Sequence, residues 1–155
     1  MLTAKWREHN GTLLMVFAAE PTEEEWRAQM DFARALGKRM RRCIIFSEIT
    51  MSSLQRREIA ELTKAAATEV AVVVTNSGAT RLIITGIGWF TGVHRAFPLS
   101  ETEAAFDSLD VPASDLRELL KSAHEFAHQL GLPHLARTVA AHREMAPVTR
   151  SATIG

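Results

Sequence analysis

A chain of 155 residues, 46% hydrophobic and 23% charged, has the size and composition of one soluble globular domain with a substantial core. Basic and acidic residues number 18 each, so the zero net charge gives no global attraction to nucleic acid or to an anionic membrane. The single cysteine, Cys43, excludes an internal disulfide, no apolar run approaches the roughly 20 residues of a membrane span, and no secretion signal is recognisable. We therefore expect a cytoplasmic protein that binds neither nucleic acid nor membrane.

The chain begins with the pattern of a β-hairpin. Asn10-Gly11 separates two predicted strands, 3–9 and 12–18, and this dipeptide favours the positive φ angles of a tight turn. Residues 22–25 (Thr-Glu-Glu-Glu) then have the form of a capping box, in which side chains satisfy the free amides of a helix's first turn. The sequence therefore predicts two strands followed by a helix.

Three further apolar strands alternate with helices in the middle of the chain. The strands are predicted at 43–46, 70–74 and 93–97. Capping boxes at residues 52–55 and 100–103 begin two of the helices. The segment 78–90 has both a short strand-like run and helical spacing, but parallel strands need a crossover of about a dozen residues between them. We therefore predict a helix there.

The C-terminal part predicts helices at 114–130 and 134–145. One apolar stripe runs along the first of them: Leu116, Leu119, Leu120, Ala123, Ala127 and Leu130. Such a stripe must be buried either on the chain's own domain or on a partner. We predict an α/β domain over 1–110, a helical extension over 113–146 and a flexible tail over 147–155. The domain has a mixed sheet of four or five strands with helices mainly on one face.

The order of elements over 1–110 resembles the STAS domain of anti-sigma-factor antagonists, in particular the bacterial STAS/SEC14-like group related to sporulation anti-anti-sigma factors. The resemblance is carried by Trp26, the CIIF strand, Gln55-Arg56-Arg57 and three longer segments. These segments are VVVTNS at 72–77, ITGIGWF at 84–90 and RAFPLSETEAAF at 95–106.

The resemblance implies a non-enzymatic regulatory or scaffolding protein that acts through protein contacts and needs no cofactor. Antagonists of this family carry a phosphorylatable serine at the start of the second helix, which implies Ser52 or Ser53 here, although the family's Asp-Ser pair is replaced by Thr50-Met51-Ser52-Ser53. We predict that the C-terminal helices bind a protein partner or a second copy. The predicted partner-binding residues are Trp89, Leu116, Leu119, Leu120 and Phe126.

A competing interpretation comes from residues 124–134, which match the metzincin zinc-protease pattern HExxHxxGxxH. His124, His128 and His134 would be the zinc ligands, and Glu125 would be the general base for a zinc-bound water. However, the helical wheel places both helical histidines on a polar flank that also carries Arg117 and Lys121. The sequence leaves three alternatives open: a zinc metalloprotease, a metal site without proteolysis, and chance histidines on a surface helix.

Overall fold

The computed structural model describes residues 2–145, apart from the side chains of 87–91 and 143–145. Five strands form one mixed sheet: β1 (Ala4–His9), β2 (Thr12–Phe17), β3 (Arg42–Ser47), β4 (Val70–Thr75) and β5 (His94–Phe97). Six helices surround it: α1 (Glu23–Leu36), α2 (Ser53–Ala65), α3 (Gly78–Thr91), α4 (Thr102–Asp107), α5 (Ala113–Gln129) and α6 (Pro133–Met145). The predicted α/β fold with a mixed sheet and C-terminal helices is confirmed.

The strands lie in the order β1-β2-β3-β4-β5, which is also their order in the chain. β1 pairs antiparallel with β2, and every later pair is parallel. The hairpin turn depends on Asn10 and Gly11, whose φ angles are 45° and 86°. A Cβ on Gly11 would lie 3.0 Å from the backbone oxygen of Arg39, so this position needs glycine for both conformation and space.

Each parallel pair is joined by one crossover helix. The predicted helix at 78–90 is confirmed as α3, which connects β4 to β5. The capping boxes that begin α1 and α2 are also confirmed, with Thr22 and Ser52 as the N-cap residues. The third predicted capping box is wrong, because a 3₁₀ turn at Leu99–Glu101 precedes α4 and no side chain caps that helix.

Side chains alternate between two cores, one on each face of the sheet. Leu13, Met15 and Ile45 point to the face covered by α1, α2 and α3. Leu14 and Ile44 point to the opposite face, which α4, α5 and α6 cover. The C-terminal helices therefore form a complete second layer on the sheet. In the described part of the chain, no helix is long and apolar enough to cross a membrane.

Candidate functional site

A groove of about 480 Å³ lies between α2 and the beginning of β5. Its lining, among the described residues, consists of Arg57, Ala60, Glu61, Thr63, Lys64, Ala67, Thr68, Val93 and His94. We call this opening the α2 groove. Most of the lining comes from the C-terminal half of α2 and the turn that follows it.

Among the described residues, α2 has a close helical neighbour on only one side. α1 packs along α2, whereas α2 and α3 make little contact within the described residues. Arg57, Ala60, Glu61 and Lys64 are spaced three and four residues apart, so they share one face of α2. That face lines the opening, and its central residue, Ala60, has a small side chain.

One histidine is held in a defined orientation at the groove. The hydroxyl of Thr63 donates to the backbone oxygen of Ala60 at 2.9 Å and lies 3.2 Å from Nε2 of His94. Because a hydroxyl has one proton to donate, we infer that His94 Nε2 is the donor toward Thr63. Burial lowers the pKa of His94 below its usual value, so the neutral imidazole is favoured.

The two predicted phosphosites lie at the N-terminal end of α2. The hydroxyl of Ser52 accepts from the amide of Gln55 at 3.1 Å, and the Gln55 side chain accepts from the Ser52 amide at 3.0 Å. Ser53 is exposed, and its hydroxyl has no hydrogen-bond partner among the described residues. Leu54 follows with 62% of its surface exposed. Ser52 is thus engaged in helix capping, whereas Ser53 is accessible and uncommitted.

The predicted partner-binding residues of α5 lie mostly inside the molecule. Leu119, Leu120 and Phe126 are buried in the core beneath α5, and Leu116 is partly buried against it. The sequence left open whether this stripe is buried on the chain's own domain or on a partner. In the structure it is buried on the chain's own sheet. A partner could reach the three buried side chains only if α5 left the sheet. The side chain of Trp89, also predicted to bind a partner, lies outside the described ones.

The residues of the zinc-like pattern are distributed over α5, the turn after it and the start of α6. Glu125 lies 3.2 Å from the guanidinium of Arg7, and His134 lies 3.2 Å from that of Arg137. His124 is half-buried and His128 is exposed. No three His, Cys, Asp or Glu side chains within the described residues are grouped as a metal site.

The glycine of that pattern has a structural role in ending α5. Gly131 has a φ of 69°. Its amide donates to the carbonyl of His128 at 3.3 Å, and the amide of Leu132 donates to that of Ala127 at 2.8 Å. This pair of hydrogen bonds is the Schellman motif, which requires a left-handed residue and so favours glycine. Pro133 then begins α6, a position where proline's missing amide costs nothing.

The sequence interpretation did not identify the α2 groove. The sequence signal for it is small: Ala60 shares a face of α2 with Arg57 and Lys64, and Ala67 follows in the turn after the helix. No protein-family model matches the chain, and no curated protein or solved structure is significantly similar to it.

Proposed function

We propose that this protein is a cytoplasmic, non-enzymatic regulatory or scaffolding protein that binds a protein partner through the starts of α2 and α3. The observation that carries the proposal is the exposure of large apolar side chains there. Leu54 in α2 is 62% exposed, and Leu82 and Ile83 in α3 are 75% and 39% exposed. Single exposed leucines are ordinary on protein surfaces, but these belong to two helices that begin at the same edge of the sheet.

The topology places these side chains at the same edge of the sheet. Residue Ser47 of β3 pairs with Thr75 of β4, so the two strands end together. α2 and α3 each follow one of these parallel strands, and both helices therefore begin at that edge. A partner that contacts the first turns of α2 would thus also approach α3.

A serine switch fits the same region. Phosphorylation of Ser53 would place about two negative charges in the first turn of α2, where the helix dipole favours an anion. The phosphate would lie beside exposed Leu54, and a partner that buries this leucine would have to accommodate or exclude the added charge. The helical crossover α3 also supports the STAS-like interpretation, in which a serine at the start of the second helix is the regulated group.

The test is a comparison of bound proteins in extracts of the source cells. The protein and its variants are immobilised at equal density, and captured proteins are quantified by mass spectrometry. We expect at least one saturable partner that is lost with the double variant Leu54→Ser/Leu82→Ser and changed at least severalfold by Ser53→Glu. The matched control is Leu2→Ser, because Leu2 is 56% exposed but precedes β1, an outer strand that β2 separates from β3 and β4.

Two outcomes would contradict the proposal. One is an identical set of captured proteins for the wild type, the double variant and the control. The other is a partner that responds to Leu2→Ser as strongly as to the double variant, because the surface would then lie elsewhere. Ser53→Ala separates loss of the hydroxyl from gain of charge, and we expect it to bind the partner like the wild type.

A further inference from the structure

The α2 groove carries two cationic side chains that are not engaged by acidic ones. Arg57 and Lys64 line the groove. Within the described part of the chain, neither makes an ion pair, whereas Arg27 and Arg34 on the neighbouring α1 each pair with a carboxylate. Glu61 is the one acidic residue among the described lining, so two formal positive charges meet one negative charge there. The groove is therefore complementary to an anion.

The helix dipole accounts for the position of one of these two cations but not for that of the other. Lys64 lies in the last turn of α2, where a cation is favoured by the negative end of the helix dipole. Arg57 lies near the middle of the helix, where the dipole gives no such stabilisation. The guanidinium of Arg57 also offers a planar pair of donors that matches a carboxylate. Arg57 is therefore the stronger candidate for holding an anionic group.

The rest of the described lining favours an apolar body attached to that anion. Ala60, Ala67 and Val93 supply apolar wall, and long side chains contribute their aliphatic stems. The volume of about 480 Å³ falls within the range of small-molecule sites, which are concave, mainly apolar and marked by a few polar groups.

We propose that the α2 groove binds a small amphipathic organic acid, with its carboxylate held by Arg57 and supported by Lys64, and its apolar chain lying along Ala60, Ala67 and Val93. The proposed switch residue Ser53 begins α2; Arg57 follows it one turn later, about 6 Å along the axis, and Lys64 lies about 16 Å along the axis from Ser53.

Octanoate is the probe, and nuclear magnetic resonance of the full chain is the measurement. We expect saturable shifts confined to residues of the groove, including the ring protons of His94, with a dissociation constant on the order of 1 mM or tighter. Octan-1-ol, which has the same chain without the charge, should bind at least about fivefold more weakly, because hydrogen bonds to a charged group are the stronger ones.

Variants separate the contributions of charge and space. Arg57→Gln should weaken octanoate binding about fivefold or more, and Lys64→Gln should weaken it less. Ala60→Leu should abolish binding, since it fills the middle of the groove while keeping both cations. The matched control Arg34→Gln removes an exposed cation from α1, outside the groove lining, and should leave the affinity unchanged. Circular dichroism verifies that each variant is folded.

The proposal is overturned if octanoate gives no saturable shifts, or if the shifts fall outside the groove. It is also overturned if octan-1-ol binds as tightly as octanoate, because the cations would then have no role in recognition. Equal effects of Arg34→Gln and Arg57→Gln would mean that the anion responds to the overall charge of the protein and not to a site.

Discussion

The two faces of the sheet are covered by three helices each, but they are packed differently. On the face under α4, α5 and α6, large side chains such as Leu119, Leu120 and Phe106 are almost completely buried. On the face under α1, α2 and α3, the helical layer leaves the α2 groove open and exposes Leu82. The first face has the features of a structural core, and the second offers surfaces that a ligand or partner could use.

This difference is relevant to the zinc-like pattern, which lies on the face under α4, α5 and α6, here called the closed face. The segment that carries it supplies buried side chains to the second core, a Schellman turn at Gly131 and an ion pair between Glu125 and Arg7. The guanidinium of Arg7 also lies 4.9 Å from the centre of the Phe126 ring. These contacts fix α5 onto β1 and give the segment a structural role.

Removing α5 and α6 should have the largest effect. A chain that ends at residue 110 keeps only α4 on this face and uncovers apolar side chains that α5 and α6 help to bury, such as Leu14 and Ile44. We expect this truncated chain to be insoluble or to lack cooperative unfolding, as measured by circular dichroism against denaturant. Deletion of 147–155 is the control and should leave cooperative unfolding intact. A soluble, cooperatively folded 1–110 would show that the C-terminal helices are dispensable for the fold.

Substitutions of single leucines should show the same difference between the two faces, with smaller changes in the free energy of unfolding. Leu120 is fully buried under α5, whereas Leu82 is 75% exposed on α3. Leu120→Ala should lower the free energy of unfolding by about 3 kcal/mol, because it removes buried methyl groups and leaves a cavity. Leu82→Ala should change it by less than about 0.5 kcal/mol. Urea denaturation measures both, and a comparable loss for the two variants would mean that α3 is packed as tightly as α5.

The beginning of α2 tests whether its two serines have separate roles. Ser52→Ala removes the hydroxyl that accepts from the Gln55 amide and should destabilise the protein by about 1 kcal/mol. Ser53→Ala removes an exposed hydroxyl and should change stability by less than about 0.5 kcal/mol. Thermal unfolding of the two variants side by side gives the comparison. If Ser53→Ala were the more damaging change, Ser53 would be a structural residue and a poor candidate for a switch.

Local patterns predicted the elements of this fold well because their causes are local. The Asn10-Gly11 turn, the capping boxes at Thr22 and Ser52, and the crossover helix α3 each depend on residues within a few positions or on the length of one connection. The wrong capping box at Ser100 shows the limit of such patterns, since a 3₁₀ turn precedes the helix instead, with the amides of Glu101 and Thr102 donating to the carbonyls of Pro98 and Leu99.

The α2 groove and the burial of the α5 stripe could not be read from local patterns. An amphipathic helix has the same sequence whether its apolar side meets its own sheet or another molecule, so Leu119 and Leu120 gave no indication of their destination. The groove depends on the spacing between α2 and its neighbours, which is set by packing across the whole layer. Its residues are far apart in sequence, as Thr63 and His94 illustrate.

The smallest expected effect concerns His94, the histidine that lines the α2 groove. Burial lowers the pKa of His94 in the folded protein below the usual value of 6.5, so the unfolded chain binds a proton more readily than the folded one. Its contribution to stability is therefore present above that value and is lost as the pH falls through the window below it. His94→Gln should reduce the slope of unfolding free energy against pH below pH 6.5, relative to wild type. The other five histidines are common to both proteins, so the difference isolates this one.

Saturating octanoate should bring the folded-state pKa of His94 closer to 6.5, because an anion in the groove favours the imidazolium form. An identical pH dependence in both proteins would mean that the imidazole is as well solvated in the folded state as in the unfolded chain, and the groove would then be open to water.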